Sequence, residues 1–336
     1  MARGALLDGA NGSRVIHMLG ALLLAGCSGE QSALAPAGRA ASRIADLFWG
    51  MTVGAAIIWF AVTGLAVYAT YFRRKAPGST RGGLLIIGGG VVFPVVVLGG
   101  LLTYSLSMLT DILAPAPEGA LKIQVTGYQW WWRVRYLRDQ GEPVDLANEI
   151  HLPVGQPVEF QLESPDVIHS FWIPALGGKV DMIPGRRTRL LLEPTKTGVY
   201  RGVCAEYCGA SHALMGFFVI VEERVEFEQW LADQAKPAPS PKGQRATQGG
   251  ELFVANGCGA CHAVRGTAAH GVIGPELTHM GSRLSVGAGV LATESDALRR
   301  WIARTNDIKP SVHMPTFGML PPEDVLALAV YLEGLK

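Results

Sequence analysis

Two stretches of the chain, Leu47 to Phe72 and Gly82 to Thr110, carry no charged side chain and show no polar face at any helical spacing. Each exceeds the roughly 20 residues that a helix needs to cross a bilayer's hydrocarbon layer. A helix that is apolar all round fits a membrane span better than a surface helix, so a transmembrane hairpin is predicted over 45–113. The connecting loop holds Arg73, Arg74, Lys75 and Arg81 with no acid. That charge bias places the loop in the cytoplasm and both flanks outside. Upstream, Arg3 and Arg14 precede the apolar run Val15 to Gly26, which has the form of a secretory signal over 1–26. Residues 27–44, rich in Ala, Ser, Gly and Pro, read as a flexible tether.

The pattern changes after the hairpin. Over 114–228, short β-branched and aromatic runs recur at Leu121–Thr126, Trp130–Tyr136, Glu149–Leu152, Pro157–Leu162, Arg189–Leu192, Tyr200–Val203 and Phe217–Val221, separated by Gly/Pro turns. Such spacing predicts an antiparallel sandwich or barrel. Alternating Pro and small residues in Ala235 to Gln244 mark a linker over 229–246. A helical domain is then predicted over 247–336, with helices at Gln248–Asn256 and Glu323–Leu335, the second opened by Pro321-Pro322.

A length of 336 residues suits this division into two or three domains, and a hydrophobic content of 49% suits the membrane spans. Net charge of +1 and the lack of a basic stripe argue against nucleic-acid binding. The cysteines are Cys27, Cys204, Cys208, Cys258 and Cys261, and each has a separate chemical reading, so no disulfide framework is implied.

The densest chemistry is Cys204-Ala205-Glu206-Tyr207-Cys208-Gly209-Ala210-Ser211-His212-Ala213-Leu214-Met215, with His169 upstream in Asp166-Val167-Ile168-His169. A disulfide between Cys204 and Cys208 and a Cys/His zinc site are the competing readings. Neither uses Met215. Thiols, imidazoles and a thioether together select copper, and two thiolates that can bridge point to a pair of ions. The flanking runs read as strands, so the cluster sits on a loop gripped by a sheet. Further on, Cys258-Gly259-Ala260-Cys261-His262 is the C-x-x-C-H pattern of covalent c-type haem attachment. Met314, Met319, Met280, His313, His279 and His270 are the candidates for the sixth iron ligand. Met314 is preferred because His313-Met314-Pro315 resembles the Met-Pro of class I cytochromes c and Met ligation raises the potential.

The run CAEYCGASHALM, with DVIHSFWIP and GKVDMIPGR before it, resembles subunit II of the haem-copper cytochrome c oxidases, here of the caa type with a fused cytochrome c domain. The resemblance implies a cupredoxin-like Greek-key barrel of all-β class, joined to a two-helix membrane anchor and an all-α class I cytochrome c domain. It implies a dinuclear CuA centre bridged by Cys204 and Cys208, with His169, His212, Met215 and the Glu206 carbonyl as further ligands. It makes Trp130 the residue where electrons enter that centre, leaving Trp131 and Trp132 structural. It gives the Glu206 carboxylate a share in a magnesium site against the catalytic subunit, which Lys179, Asp181 and Arg186 would also face. Leu24-Ala25-Gly26-Cys27 resembles the lipobox of bacterial lipoproteins, implying lipidation of Cys27.

The expected protein is therefore a multi-pass subunit of a bacterial inner-membrane respiratory oxidase, with the N-terminus, copper domain and cytochrome domain on the periplasmic face. Electrons would come from an outside cytochrome c or bc-type complex to haem c, then to CuA, then to the haem of catalytic subunit I, which reduces oxygen to water. A CuA-containing nitric oxide reductase subunit and a membrane-anchored copper-delivery protein are the alternatives.

Overall fold

The computed structural model describes residues 29–72, 79–113, 115–138 and 141–336. The signal segment and Cys27 lie outside them. Two compact units result: residues 43–118, and the remainder of the chain.

The first unit is helical. Helix α1 spans Arg39–Tyr71, and α2 (Ser79–Leu84) continues through a π-helical stretch, Leu85–Val92, into α3 (Phe93–Leu113). The wide π turns coincide with Gly88-Gly89-Gly90, which offer no side chains to hold the tighter α spacing, and Pro94 follows at once. Both helical runs are long and apolar enough to span a membrane, and their large side chains, such as Phe60 and Leu98, are exposed along the length. They are the membrane anchor of the protein.

In the other unit, two five-stranded sheets face one another. Strands β1 (Leu121–Tyr128), β2 (Trp131–Leu137), β3 (Val144–Ala147), β5 (Val158–Glu163) and β8 (Thr188–Leu192) form one, ordered β3-β2-β1-β5-β8. The other contains β4 (Glu149–Pro153), β6 (His169–Trp172), β7 (Val180–Met182), β9 (Gly198–Cys204) and β10 (Gly216–Glu222), ordered β4-β10-β9-β6-β7. The β1–β5 and β10–β4 pairs are parallel and the other pairs antiparallel, so the chain crosses between sheets in Greek-key fashion. Alternate residues drive this closure. Ile123 and Val125 of β1, Trp132, Val134 and Tyr136 of β2, and Phe160 and Leu162 of β5 are all fully buried in one core with Phe171 and Phe217. Each such side chain contributes about 1.5–3 kcal/mol by leaving water. Trp132 packs edge-on against Phe171 and Phe217 inside this core, as a structural residue would.

The expected flexible tether is bound instead. Ala37 donates its N–H to the Ala175 carbonyl and accepts from Thr195 N–H, both at 2.7 Å, and Arg39 N–H reaches the Glu193 carbonyl. Small residues let this segment lie flat against the barrel, satisfying backbone groups that a free chain would leave to water. The linker is also shorter than 229–246. Helix α4 (Arg224–Gln234) extends the barrel, with Phe227 in its core, and helix α5 (Gln244–Ala255) already belongs to the next domain. Within the remaining 235–243, Ala238 N–H bonds to the Arg265 carbonyl, 2.9 Å away.

The C-terminal domain comprises α5, α6 (Ser295–Ala303), α7 (Thr305–Ile308), α8 (Pro322–Gly334) and a small hairpin of β11 (Ser285–Val286) and β12 (Leu291–Ala292). Phe253, Leu298, Ile302, Val325, Leu328 and Leu332 meet in its separate core.

Candidate metal and haem centres

Strand order and register build the copper-type site. Cys204 ends β9, Met215 immediately precedes β10, and Cys204 N–H closes the loop on the Met215 carbonyl at 3.0 Å. Strand β6 runs antiparallel to β9, with Phe171 opposite Cys204, so His169 at its start falls beside that cysteine. The donor atoms converge in a symmetric set. Cys204 Sγ and Cys208 Sγ lie 3.7 Å apart, so they form no disulfide. His169 Nδ1 is 3.8 Å from the first thiol and His212 Nδ1 3.6 Å from the second. The Glu206 carbonyl oxygen is 3.2 Å from Cys204 Sγ, and Met215 Sδ is 3.8 Å from Cys208 Sγ. Each thiol thus has one imidazole and one weaker donor, and the ligand atoms of His169, Cys204 and Cys208 crowd together in a buried site. All six predicted positions are brought together, and this soft, paired donor set fits two copper ions. Sharing between the sulfurs favours the Cys204 thiolate, through the hydrogen bond from Cys208, and drives the Cys208 thiol upward.

Asp166 was not assigned from sequence, yet its Oδ1 lies 2.8 Å from His169 Nε2. Burial pushes its carboxyl up, but hydrogen bonds from Val167 N–H, from His169 and from Gln129 N–H outweigh that and hold it below the usual value. A carboxylate on the outer nitrogen fixes the ring with Nδ1 facing the thiols. Asp166→Ala should therefore weaken copper retention by roughly 10–100-fold while leaving haem content unchanged. Chelator competition on the purified full-length protein measures this. His151, on β4, is stacked on Trp230 and held between Glu222 and Glu149. It takes no part in the cluster.

Trp130 is buried against the ligand loop: its indole N–H donates to the Cys208 carbonyl at 3.1 Å, and Gln129 Nε2 reaches the same oxygen at 2.7 Å. Gly209 permits this approach, since it turns at φ +118° and a Cβ there would come within 3.0 Å of the indole. Trp131 instead stacks on Tyr128. The Glu206 carboxylate is 45% exposed and 3.9 Å from Lys179 Nζ, which also pairs with Asp181.

In the C-terminal domain, Cys258–Ala260 forms a 3-10 turn, and His262 N–H bonds to the Cys258 carbonyl, so both thiols and the imidazole belong to one tight loop. His262 Nδ1 donates to the Pro275 carbonyl at 2.7 Å. Burial, together with the positive charge of Arg283, holds this imidazole below its ordinary range. Both favour the neutral ring, and the bond from Nδ1 leaves Nε2 for a metal, as a haem iron requires. Gly274 lies flat against the ring, where a Cβ would meet Cε1 at 2.6 Å. Beside it, Val272 and Ile273 hold apolar side chains outward for a macrocycle to cover. These features fit covalent haem c. Among the sixth-ligand candidates, Met314 is half-buried, Met319 and His270 are exposed, and Met280 is buried in the domain core. His279 is hydrogen-bonded to the Lys236 carbonyl.

Comparison with known proteins agrees with both sites. A family model described as cytochrome c oxidase subunit II, periplasmic domain, matches residues 121–223, and one described as cytochrome c matches 246–336. The chain is 36% identical to cytochrome c oxidase subunit 2 of Alkalihalophilus pseudofirmus over 334 residues, covering 94% of each protein. It is 31% identical to the Bacillus subtilis protein of the same name, covering 94% of this chain and 95% of that one. A crystal structure of the periplasmic domain of subunit II of cytochrome oxidase from Bradyrhizobium japonicum shares 36% identity, with 36% of this chain and 97% of that one covered and a TM-score of 0.33.

Proposed function

The chain belongs to the cytochrome c oxidase subunit II family, and on that premise we propose that it accepts electrons at covalent haem c and passes them by a dinuclear CuA centre to the haem of catalytic subunit I, where oxygen is reduced to water. The observation that carries this reading is the symmetric donor set, in which each of two facing thiols has its own imidazole at 3.6–3.8 Å. When bound, a copper pair between two thiolates and a haem iron supply one-electron transfer with little change in ligand geometry. The chain's residues supply the rest. Cys204, Cys208, His169, His212, Met215 and the Glu206 carbonyl would together hold the copper pair. Asp166 keeps His169 in the required orientation. Trp130, bonded to the Cys208 carbonyl, carries the electron into the ligand loop.

For the haem, Cys258 and Cys261 would form the thioether links, His262 the fifth ligand and Met314 the sixth. The exposed Glu206 carboxylate, 3.9 Å from Lys179, would join a magnesium site facing subunit I, which Asp181 and Arg186 would also face. The basic loop between the membrane helices supports a periplasmic position for the copper and cytochrome domains, where an outside cytochrome c or a bc-type complex would deliver electrons. Cys27 would anchor the N-terminus through lipid.

Anaerobic mixing of the assembled oxidase with reduced donor tests the order. The haem c band should be reduced first, the copper absorption second and the catalytic haem last. Reduction of the catalytic haem ahead of the copper would overturn the scheme.

A further inference from the structure

Lys309 is 1% exposed, and no carboxylate pairs with it among the described residues. Burying an ammonium group in this way costs several kcal/mol unless its hydrogens are taken up. Here Nζ donates to two carbonyl oxygens, Trp130 O at 2.7 Å on the copper domain and Gly287 O at 2.8 Å in its own domain. Its neighbours follow the same direction: Ser211 Oγ, next to His212, donates to the Pro310 carbonyl at 2.5 Å, and Val312 packs on the barrel core. Around this point Gly216 N–H bonds to the Ala288 carbonyl at 3.0 Å and Arg201 to the Gly289 carbonyl at 2.7 Å. On the far side Arg133 bonds to the Val272 carbonyl. The copper domain therefore grips both segments that border the haem site, 271–274 beside His262 and 309–312 just before Met314.

We propose that Lys309 is a positioning residue that locks the cytochrome domain onto the Trp130 face of the copper domain in the pose that transfers electrons. This rests on the relay reading above. Burial pushes the Lys309 ammonium down to about 7 against an opposing pull from Cys208, which agrees with a group enclosed at the domain boundary. One electron leaves ferrous haem and reduces the oxidised copper pair, with no bond or proton changing, so the rate depends on distance and orientation. Misplacement by about 1 Å can cost on the order of 100-fold in a reaction that depends on held geometry.

The test compares wild type, Lys309→Met and Lys309→Gln in the assembled oxidase. Met matches the length without a donor, and Gln keeps a donor with a shorter reach should the Met variant fail to assemble. Two quantities are read: the haem-to-copper transfer rate after rapid haem reduction, and hydrogen exchange at two amides that cross the boundary, Gly216 N–H on the Ala288 carbonyl and Leu284 N–H on Glu149 Oε2 at 2.7 Å. We expect unchanged haem and copper spectra, unchanged reduction of haem by the outside donor, transfer slowed roughly 10–100-fold and faster exchange at the boundary. Wild-type transfer with wild-type exchange overturns the proposal. So does slowed transfer with unchanged exchange, which would make Lys309 an electrostatic tuner and not a latch. Hydrogen exchange needs neither centre, so it reads docking even if a missing copper or haem were to sink the relay.

Discussion

A Cys208→Ser protein, purified as the full chain in its oxidase, should keep its haem and lose the copper pair, and donor-driven oxygen consumption should fall at least about 100-fold. Loss of an outer partner alone costs roughly 10–100-fold in metal affinity, and Cys208 lies at the centre of the donor set, within 3.8 Å of Cys204, His212 and Met215 donor atoms. Serine preserves the volume but replaces a soft thiolate by a hard hydroxyl, which copper in such a site does not accept. The fold should survive, because the loop is closed by the Cys204 N–H to Met215 carbonyl bond and not by the sulfur. Metal analysis, optical spectra and turnover on one sample give the result.

Cys258→Ala combined with Cys261→Ala should yield a protein with copper but no covalent haem. All six groups proposed to hold copper lie in the barrel domain, whereas the haem loop belongs to a domain with its own core. Turnover with an outside cytochrome c at micromolar concentration should drop by on the order of 100-fold or more, since a tethered carrier acts at an effective concentration near millimolar. Haem staining of the denatured chain and the copper content separate this outcome from general misfolding. Retention of full turnover would mean that the fused domain lies off the electron path.

The proposed copper site was legible because five of its six donors fall within twelve residues, and the presence of Met215 among them favours copper over zinc or a disulfide without any knowledge of the fold. Membrane helices were equally plain from the absence of charge. Other features depend on contacts distant in sequence. Asp166 stands three residues before His169, but only the turn into β6 brings its oxygen onto the imidazole. Strands β6 and β7 are three or four residues long, too short for alternation to register. The segment 29–38 looks like a tether by composition, yet small residues also suit a chain laid along a barrel, and composition cannot separate the two. Lys309 carried no signal at all, since a lone lysine between two loops reads as solvated. Its burial depends on Trp130, 179 residues earlier.

Whether one chain holds both a dinuclear copper centre and a covalent haem is decided on the full chain purified from membranes. Copper and iron per chain are measured together with paramagnetic resonance of the oxidised protein. The expected result is a copper pair whose single unpaired electron is shared by both nuclei, together with one covalent haem. A lone copper with a localised electron, zinc in place of copper, or a chain free of covalent haem would contradict it.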